Sequence, residues 1–465
     1  MPAIDPRLER GLARLEDQRV TLASYVNWYK GEHPEPYIPP KAKAEYKRIV
    51  EAASTAWLKL VVDCVNERLK VDGFTDAEGS GTDREAWRIW RRNRMSAVQT
   101  RVHREALMLG RSYVGVWPNP ADRSTPILSG ESALRVWIAR DSTDQCPLWA
   151  VKSWTTGEEG APGEQVAYLY EPTKVQAYRR GDASAEWRPD GPPMLNPLGR
   201  VPFIEFGNER DLLGNVSSEL APLIPLQERI NSTNLHMQLA MLVAAFKQRW
   251  AAGLAIPEDE HGNPVEPFNA AVDKLWISDD PNAKFGEFAE SNMQNFVTVL
   301  DSLTRQMSAL SALPAHYLLG QLVNLNAETI RAVDGTLAGK IAFKQLDLTG
   351  DWSDTFDLVR AAGGAVGEVE PHWANTEARS EAQLVDALSK LGAPPLNVPQ
   401  EALWERLGIS PDLIAVWRSM QDAATQRAAG AEVAGVMAAR LTDVPAAQPD
   451  ADEPAVPAER EGRAA

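Results

Sequence analysis

The side chains that could carry chemistry are few, and their spacing does not suit it. Lys340 stands in GTLAGKI beside Gly335 and Gly339, the ingredients of a phosphate-cradling loop. The glycines are one residue too close together, no Ser or Thr follows the lysine, and the stretch lies in a helical pattern rather than after a strand. Six histidines, at 33, 103, 236, 261, 316 and 372, are scattered without an i, i+4 pair and without Cys or carboxylate at ligand spacing. Glu258, Asp259 and Glu260 beside His261 precede Gly262 and Pro264, which reads as a solvated turn rather than a cation site. No catalytic residue, metal ligand or cofactor is therefore expected. One basic stretch, REAWRIWRRNRMSAVQTRVHR, gathers seven arginines (84, 88, 91, 92, 94, 101 and 104) around Trp87 and Trp90, a mixture able to hold single-stranded nucleic acid. Helical spacing gives another reading, with Trp87, Trp90, Val98 and Val102 facing a core and the arginines outside.

The elements around these residues follow from periodicity. Residues 5 to 30 are helical and stop where Gly31 and Pro34, Pro36, Pro39 and Pro40 force an extended segment. Helices are expected at about Ala42 to Leu69 and Asp83 to Leu109. From Ser112 the period changes to two, through SYVGVWP, LRVWIA, PLWAVKSW and a hairpin VAYLYEPTKVQAYRR turning at Glu171 to Lys174. MLNPLGRVPFIEFGN reads as a loop. Leu226 to Trp250 then forms a helix of about 37 Å, with an apolar second half that calls for protein on all sides. An excursion over residues 251 to 290 holds nine Asp or Glu against two Lys. A returning helix spans Asn292 to Leu310. Asn326 can cap a third helix from Ala327 to about Leu346, and short capped helices follow. Beyond Thr442 the Pro, Ala and acid composition predicts disorder. The fold class is α+β, predominantly helical.

Between the second and third of these helices, SALPAHYLLGQLVNLNAETI is bare: from Gln306 through Ala327 no Lys, Arg, Asp or Glu occurs, in a chain that is 24% charged. An apolar connection of this kind needs a protein surface to lie against. The whole chain, 465 residues with a formal charge of -16, is a poor general binder of phosphate backbones, whose grip requires clustered Lys and Arg. Two cysteines, Cys64 and Cys146, exclude a disulfide framework. No apolar run approaches the roughly 20 residues of a membrane span, and the N-terminus has no signal-peptide pattern.

Taken together, YVNWYKGEHPEPYIPP, WLKLVVDCVNERLKVDGF, AWRIWRRNRM, LMLGRSYVGVWP, NPLGRVPFIEF, SSELAPLIPLQERIN, FKQRWAAGLAIPED, AVDKLWISDDPNAKFGEF, PAHYLLGQLVNLNAETI and ALWERLGISPDLIAVW resemble the portal proteins of tailed bacteriophages, specifically siphophages of actinobacterial hosts. The resemblance runs to about Gln421. It implies a ring, usually of twelve subunits, at one capsid vertex, each subunit divided into wing (1–220), first stem helix (221–250), clip (251–290), second stem helix (291–310), tunnel loop (311–326), long helix and return to the wing (327–376), crown (377–425) and C-terminal tail (426–465). By the same resemblance Pro314, His316, Tyr317, Leu318, Leu319, Gln321, Asn324 and Asn326 would face a channel for double-stranded DNA. Glu258, Asp259, Glu260, Glu266, Asp279 and Asp280 would present a clip docking surface to the large terminase and the head-to-tail adaptor. Major capsid and scaffolding proteins are further implied partners, and the virion, assembled in the host cytoplasm, the implied location. Two other readings are a phage nucleic-acid-binding enzyme using the arginine-rich helix, and an oligomeric adaptor that conducts no DNA.

Overall fold

The computed structural model describes residues 4–32, 34–37, 46–76, 83–157, 163–181, 184–245, 249–252, 261, 284–287, 292–319, 327–374, 381–407, 409 and 411–442. The chain divides into two compact units, Met1–Pro411 and Asp412–Ala465.

In the first unit the elements begin with α1 (Pro6–Lys30), α2 (Lys47–Ala52), α3 (Trp57–Asn66), β1 (Val71–Asp76), α4 (Arg84–Arg92) and α5 (Met95–Leu109). Asp5 caps α1 by accepting from the Arg7 amide, and Gly31, at φ 79°, ends it. The helix expected over 42–69 is divided into α2 and α3. Between them the Thr55 amide donates to Asn231 Oδ1 at 3.1 Å, diverting the backbone from the helical ladder. The helix expected over 83–109 is likewise two. Asn93 donates to the carbonyls of Ile89 and Pro126 and accepts from the Leu128 amide, and Arg94 adopts a left-handed conformation, so α4 and α5 meet at a corner.

Strands β2 (Arg111–Trp117), β3 (Ile127–Glu131), β4 (Val136–Arg140), β5 (Pro147–Thr155), β6 (Gln165–Tyr170), β7 (Lys174–Arg180), β8 (Arg188–Pro189), β9 (Met194–Leu195) and β10 (Phe203–Gly207) follow. They make two antiparallel sheets, one ordered β10-β2-β3 and one of six strands running β4-β5-β6-β7-β8 with β9 also on β7. Gly110 allows the turn from α5 into β2: its φ is +84° and a Cβ there would sit 3.0 Å from the Ser217 backbone. The hairpin turn falls at Glu171, whose amide donates to the Lys174 carbonyl at 2.8 Å, as the sequence predicts. The stretch read as a loop contains β10, which pairs with β2 from Phe203↔Gly115 to Gly207↔Arg111. Its strand is short and almost wholly buried, so no alternation marks it.

The rest comprises α6 (Ile224–Ala245), β11 (Arg249–Ala252), β12 (Lys284–Glu287), α7 (Met293–Ser311), α8 (Ala315–Leu319), α9 (Ala327–Ala361), β13 (Val369–Trp373), α10 (Glu381–Gly392) and α11 (Gln400–Arg406). β13 returns to pair with β1, from Val71↔Trp373 to Asp76↔Val369. The main core lies where these elements meet. Trp352 crosses Trp90 at 4.7 Å and Phe206 at 4.6 Å, and Phe74 lies 4.4 Å from Phe356, all fully buried. Buried His103 completes it, with Nδ1 on the Leu69 carbonyl and Nε2 accepting from the Trp352 indole at 3.0 Å. Burial lowers the His103 pKa to about 4, which keeps the ring neutral and suited to that acceptor role.

In the second unit the described residues continue the helix α12 (Pro411–Thr442), on which Met420, Val433 and Met437 are exposed.

Candidate functional site

The region singled out by the sequence is built by four helices. α6 and α7 run as a returning pair, joined at one end through the antiparallel strands β11 and β12. There Trp250 faces Gly286, whose missing side chain makes room for the indole: a Cβ would come within 2.6 Å of it. Asn292 caps α7 by accepting from the Gln294 amide at 3.0 Å. α6 buries Leu226 and Ile230 in the main core and Leu235 against Val50 and Ala53 of α2 and the turn after it. In its apolar second half Leu239, Ala240 and Leu242 are half-buried and Met241 is 55% exposed.

Past α7 the chain turns at Ala312, in a left-handed conformation, with Ser308 donating to the Leu313 carbonyl and Ser311 to that of Met307. Within the bare segment, Ala315–Leu319 form α8. Pro314 is buried, and Leu313 and Leu318 enter the main core, Leu318 with 9% exposure. Tyr317 accepts from Arg68 at 2.6 Å, and His316 lies 3.9 Å from Asp334 and 4.6 Å, ring to ring, from Tyr317. Leu318, read from the sequence as facing a channel, is therefore held by its own subunit. The backbone of Leu319 ends α8. Gln321, Asn324 and Asn326 lie outside the described residues, as do all six acidic clip residues, Glu258, Asp259, Glu260, Glu266, Asp279 and Asp280.

A buried polar network, invisible to motif reading, fixes α9 beneath this segment. Lys340, the lysine of GTLAGKI, donates to Glu219 Oε2 at 2.6 Å and to the Ser311 carbonyl at 2.9 Å. Lys344 reaches Glu219 Oε1 at 2.5 Å and Asn208 Oδ1 at 2.7 Å. Burial pushes the Glu219 carboxyl up, but the two lysines outweigh it and hold the pKa below the usual value. Further along, Asp351 accepts from the Gly207 amide at 3.3 Å and from Arg210 at 3.5 Å, and burial raises its pKa to about 7. These groups close on one another, so Lys340 is a structural tie between α9, the end of α7 and the segment before α6.

The arginine-rich corner resolves the same way. Trp90 is fully buried and the half-buried Trp87 stacks on it at 6.2 Å, so both rings serve the core, as helical spacing suggests. Arg88 pairs with Glu85 at 2.7 Å, while Arg84, Arg91, Arg92, Arg94 and Arg101 are exposed. Among the described residues no group of three or more His, Cys, Asp or Glu could hold a metal ion, and no helix is long and apolar enough to cross a membrane.

This geometry builds scaffolding, with its polar chemistry directed at joining elements and its apolar helix faces unfinished. The chain belongs to the family described as phage portal protein, SPP1 Gp6-like, whose model matches residues 10–426. The portal protein of Mycobacterium phage D29 is 26% identical over 430 residues, covering 87% of this chain and 86% of its own length. That of Mycobacterium phage L5 is 26% identical over 408 residues, covering 82% and 81%. Among solved structures the chain is similar to one from the neck of a native GTA particle computed with C12 symmetry, at 11% identity and a TM-score of 0.46, covering 83% of this chain and 99% of that one. Family membership places the chain in a phage particle.

Proposed function

We propose that copies of this chain assemble into a closed ring, of twelve by the family resemblance, at one capsid vertex, and that double-stranded DNA is packaged and ejected through its centre. The observation that carries this reading is the apolar surface left on the three helices around the bare segment: Met241 on α6, Val297, Val299 and Leu310 on α7, and Phe343 and Leu346 on α9, the last 72% exposed. A soluble chain that displays such residues on adjacent helices has a partner surface for them, and closed rotational symmetry lets a copy of itself supply it.

Within that ring we place the channel-facing residues beyond α8, at Gln321, Asn324 and Asn326, since Leu318 is occupied in the core. Lack of charge there keeps passing DNA from gaining the counterion-releasing contacts that would hold it. The chain carries no nucleotide-binding motif, so the work of packaging falls to an ATP-driven terminase, docked with the later adaptor on the acidic excursion of residues 251–290. The chain itself acts as a structural part and not as an enzyme.

Electron microscopy of the purified protein tests the reading, with closed rings around a hole expected and a stable monomer at micromolar concentration overturning it. Substituting Gln321→Lys with Asn324→Lys should spare the ring and reduce packaged DNA, because about 24 added charges would line a twelve-fold channel where several phosphate contacts already shift affinity by orders of magnitude. Normal packaging by that variant would remove the channel assignment.

A further inference from the structure

The turn after β10 has unexpected residues at its centre. Asp211 to Gly214 form a β-turn, in which the Gly214 amide donates to the Asp211 carbonyl at 3.0 Å and Gly214 itself has φ 80°. Its two central positions, where Gly, Pro, Asn, Asp and Ser prevail, are Leu212 and Leu213. The loop is held without them. The Asp211 amide donates to the Asn215 carbonyl, the Asp211 carboxylate accepts from the amides of Leu213 and Asn215 at 2.9 and 2.8 Å and from the Asn215 side chain at 2.9 Å, and Ser217 donates to Glu209 at 3.0 Å. Polar bonds fix the backbone while the leucines stand in solvent, Leu212 fully and Leu213 with 76% exposure. A loop already fixed gives up little conformational freedom when its apolar tip is covered, which suits it to act as a docking knob.

At the other end of the same sheet lies a place for them. β10 starts at Phe203, in the wall of a cleft of about 350 Å³ between the two sheets that Val116, Ile127, Val175 and Met194 also line. The floor of the cleft is closed: Trp154 stacks on Tyr168 at 5.5 Å and Tyr168 on Tyr170 at 6.0 Å, and Lys152, held by Glu131 at 2.6 Å, lies over Trp154. An occupant therefore fills the space between the sheets and does not part the rings, as branched aliphatic side chains can. At about 30 Å³ per water-sized atom there is room for about ten heavy atoms, enough for two leucine side chains. The mouth is apolar, with Ile127 of one sheet and Met194 of the other exposed. Charge agrees with this fit. Beside the mouth Lys174 and Arg200 are exposed, whereas Glu131 and Glu171 are largely covered by the bases they pair with. Around the leucines Glu209, Asp211 and Asp144 are exposed, Asp144 preceding the Gln145 side chain that lies against Gly214, while Arg210 turns to Asp351.

The knob does not reach its own cleft. β2 carries Arg111 opposite Gly207 at the loop end and Gly115 opposite Phe203 at the cleft end, with Trp117 two residues further, so the length of the strand puts about 20 Å between the two features. An apolar tip and an apolar pocket at opposite ends of one molecule make a head-to-tail contact, the kind that closes into a ring when its rotation allows. We propose that Leu212 and Leu213 of one copy of this chain seat in the cleft between the two sheets of the next, a contact between neighbours separate from the helix faces of α6, α7 and α9. The choice of a second copy as partner rests on the ring assembly proposed above; the fixed loop and the open cleft do not.

The test is a cross-link between chains, made on the full chain with Cys64→Ala and Cys146→Ser to remove the native thiols. Leu213→Cys with Ile127→Cys, treated with a short bis-maleimide linker, should give a ladder of covalently joined chains. Leu213→Cys with Val20→Cys, an equally exposed apolar position on α1, should not. No ladder from the first pair, or an equal ladder from the second, overturns the proposal. A second measurement needs no linker: Leu212→Ser with Leu213→Ser should keep the circular dichroism of the native chain and raise at least ten-fold the concentration at which chains associate in sedimentation, whereas Leu212→Met with Leu213→Met should associate normally. Undiminished association of the serine variant overturns the contact. Closed rings in the microscope without the cross-link would sink the contact and leave the ring reading standing. The cross-link in open assemblies would do the reverse, and a native chain giving neither ladder nor rings would overturn both.

Discussion

Two apolar regions of this chain are made of similar residues and have opposite fates. Around Trp352, the aromatic rings of β1, α4, β10 and α9 are fully buried and every polar group among them, His103 included, has a partner. Along the outer faces of α6, α7 and α9, Met, Val, Leu and Phe side chains stand in solvent. The first region is a finished core. The second has the composition of a core and lacks its other half. Hydrophobicity alone does not separate them; what does is whether one chain supplies enough elements to enclose the surface.

That contrast can be broken most sharply at its centre. Trp352→Ala should cost about 3–5 kcal/mol, because it removes a ring packed on Trp90 and Phe206 and strands His103 without its donor. Chemical denaturation of the variant is the measurement, and a loss below about 1 kcal/mol would mean that the core is not the unit that holds the subunit together.

Asp351 offers a graded probe of the same region. The folded chain holds its proton up to about pH 7 and the unfolded chain releases it near the ordinary aspartate value of 3.8, so the stability of the native protein falls as pH rises between those values. Asp351→Asn has no such dependence. Its stability relative to the native chain should climb by on the order of 2–3 kcal/mol from about pH 5 to about pH 8 and level off beyond. Parallel melting series check the slope; a gap that narrows with rising pH would show that Arg210 keeps the carboxylate ionised.

At the unfinished faces the effect should move from folding to assembly. Phe343→Ser with Leu346→Ser should alter subunit stability by less than about 1 kcal/mol while depleting rings, as read by sedimentation and microscopy. Rings of undiminished stability would show that this face of α9 is not where copies meet. Smallest of all, Arg91→Gln with Arg92→Gln should leave the melting midpoint within the error set by about 0.5 kcal/mol, since both side chains are exposed.

Much of this was legible in the sequence where periodicity is long and one-sided: α1 and α7 fall within a residue or two of expectation, and the β6–β7 turn falls where its residues place it. Boundaries were lost where one side chain outweighs helical preference, as Asn231 does at Thr55 and Asn93 does at the α4–α5 corner. β10 and the β1–β13 pair were missed because short buried strands have no alternation and the partner of β1 lies some three hundred residues away. The site was legible only in outline. Absence of charge marked the segment after α7, yet Glu219, Lys340, Lys344 and Asp351 converge through tertiary contacts that no spacing announces.

The polar attachments of α9 have a mechanical meaning. Lys340, Lys344 and Asp351 recur at intervals of four and seven along one stripe of a helix about 52 Å long and all grip the 207–219 segment, the two lysines sharing Glu219, Lys344 also reaching Asn208, and Asp351 holding Gly207. A helix held by one contact can roll about its axis; one held at three heights along a single line is keyed, as a shaft is keyed to its hub. Rotation by one residue, about 100°, would draw all three groups from their partners together. A twist applied to this helix would therefore have to break buried charge-assisted hydrogen bonds, whereas tilt or thrust along the axis need not.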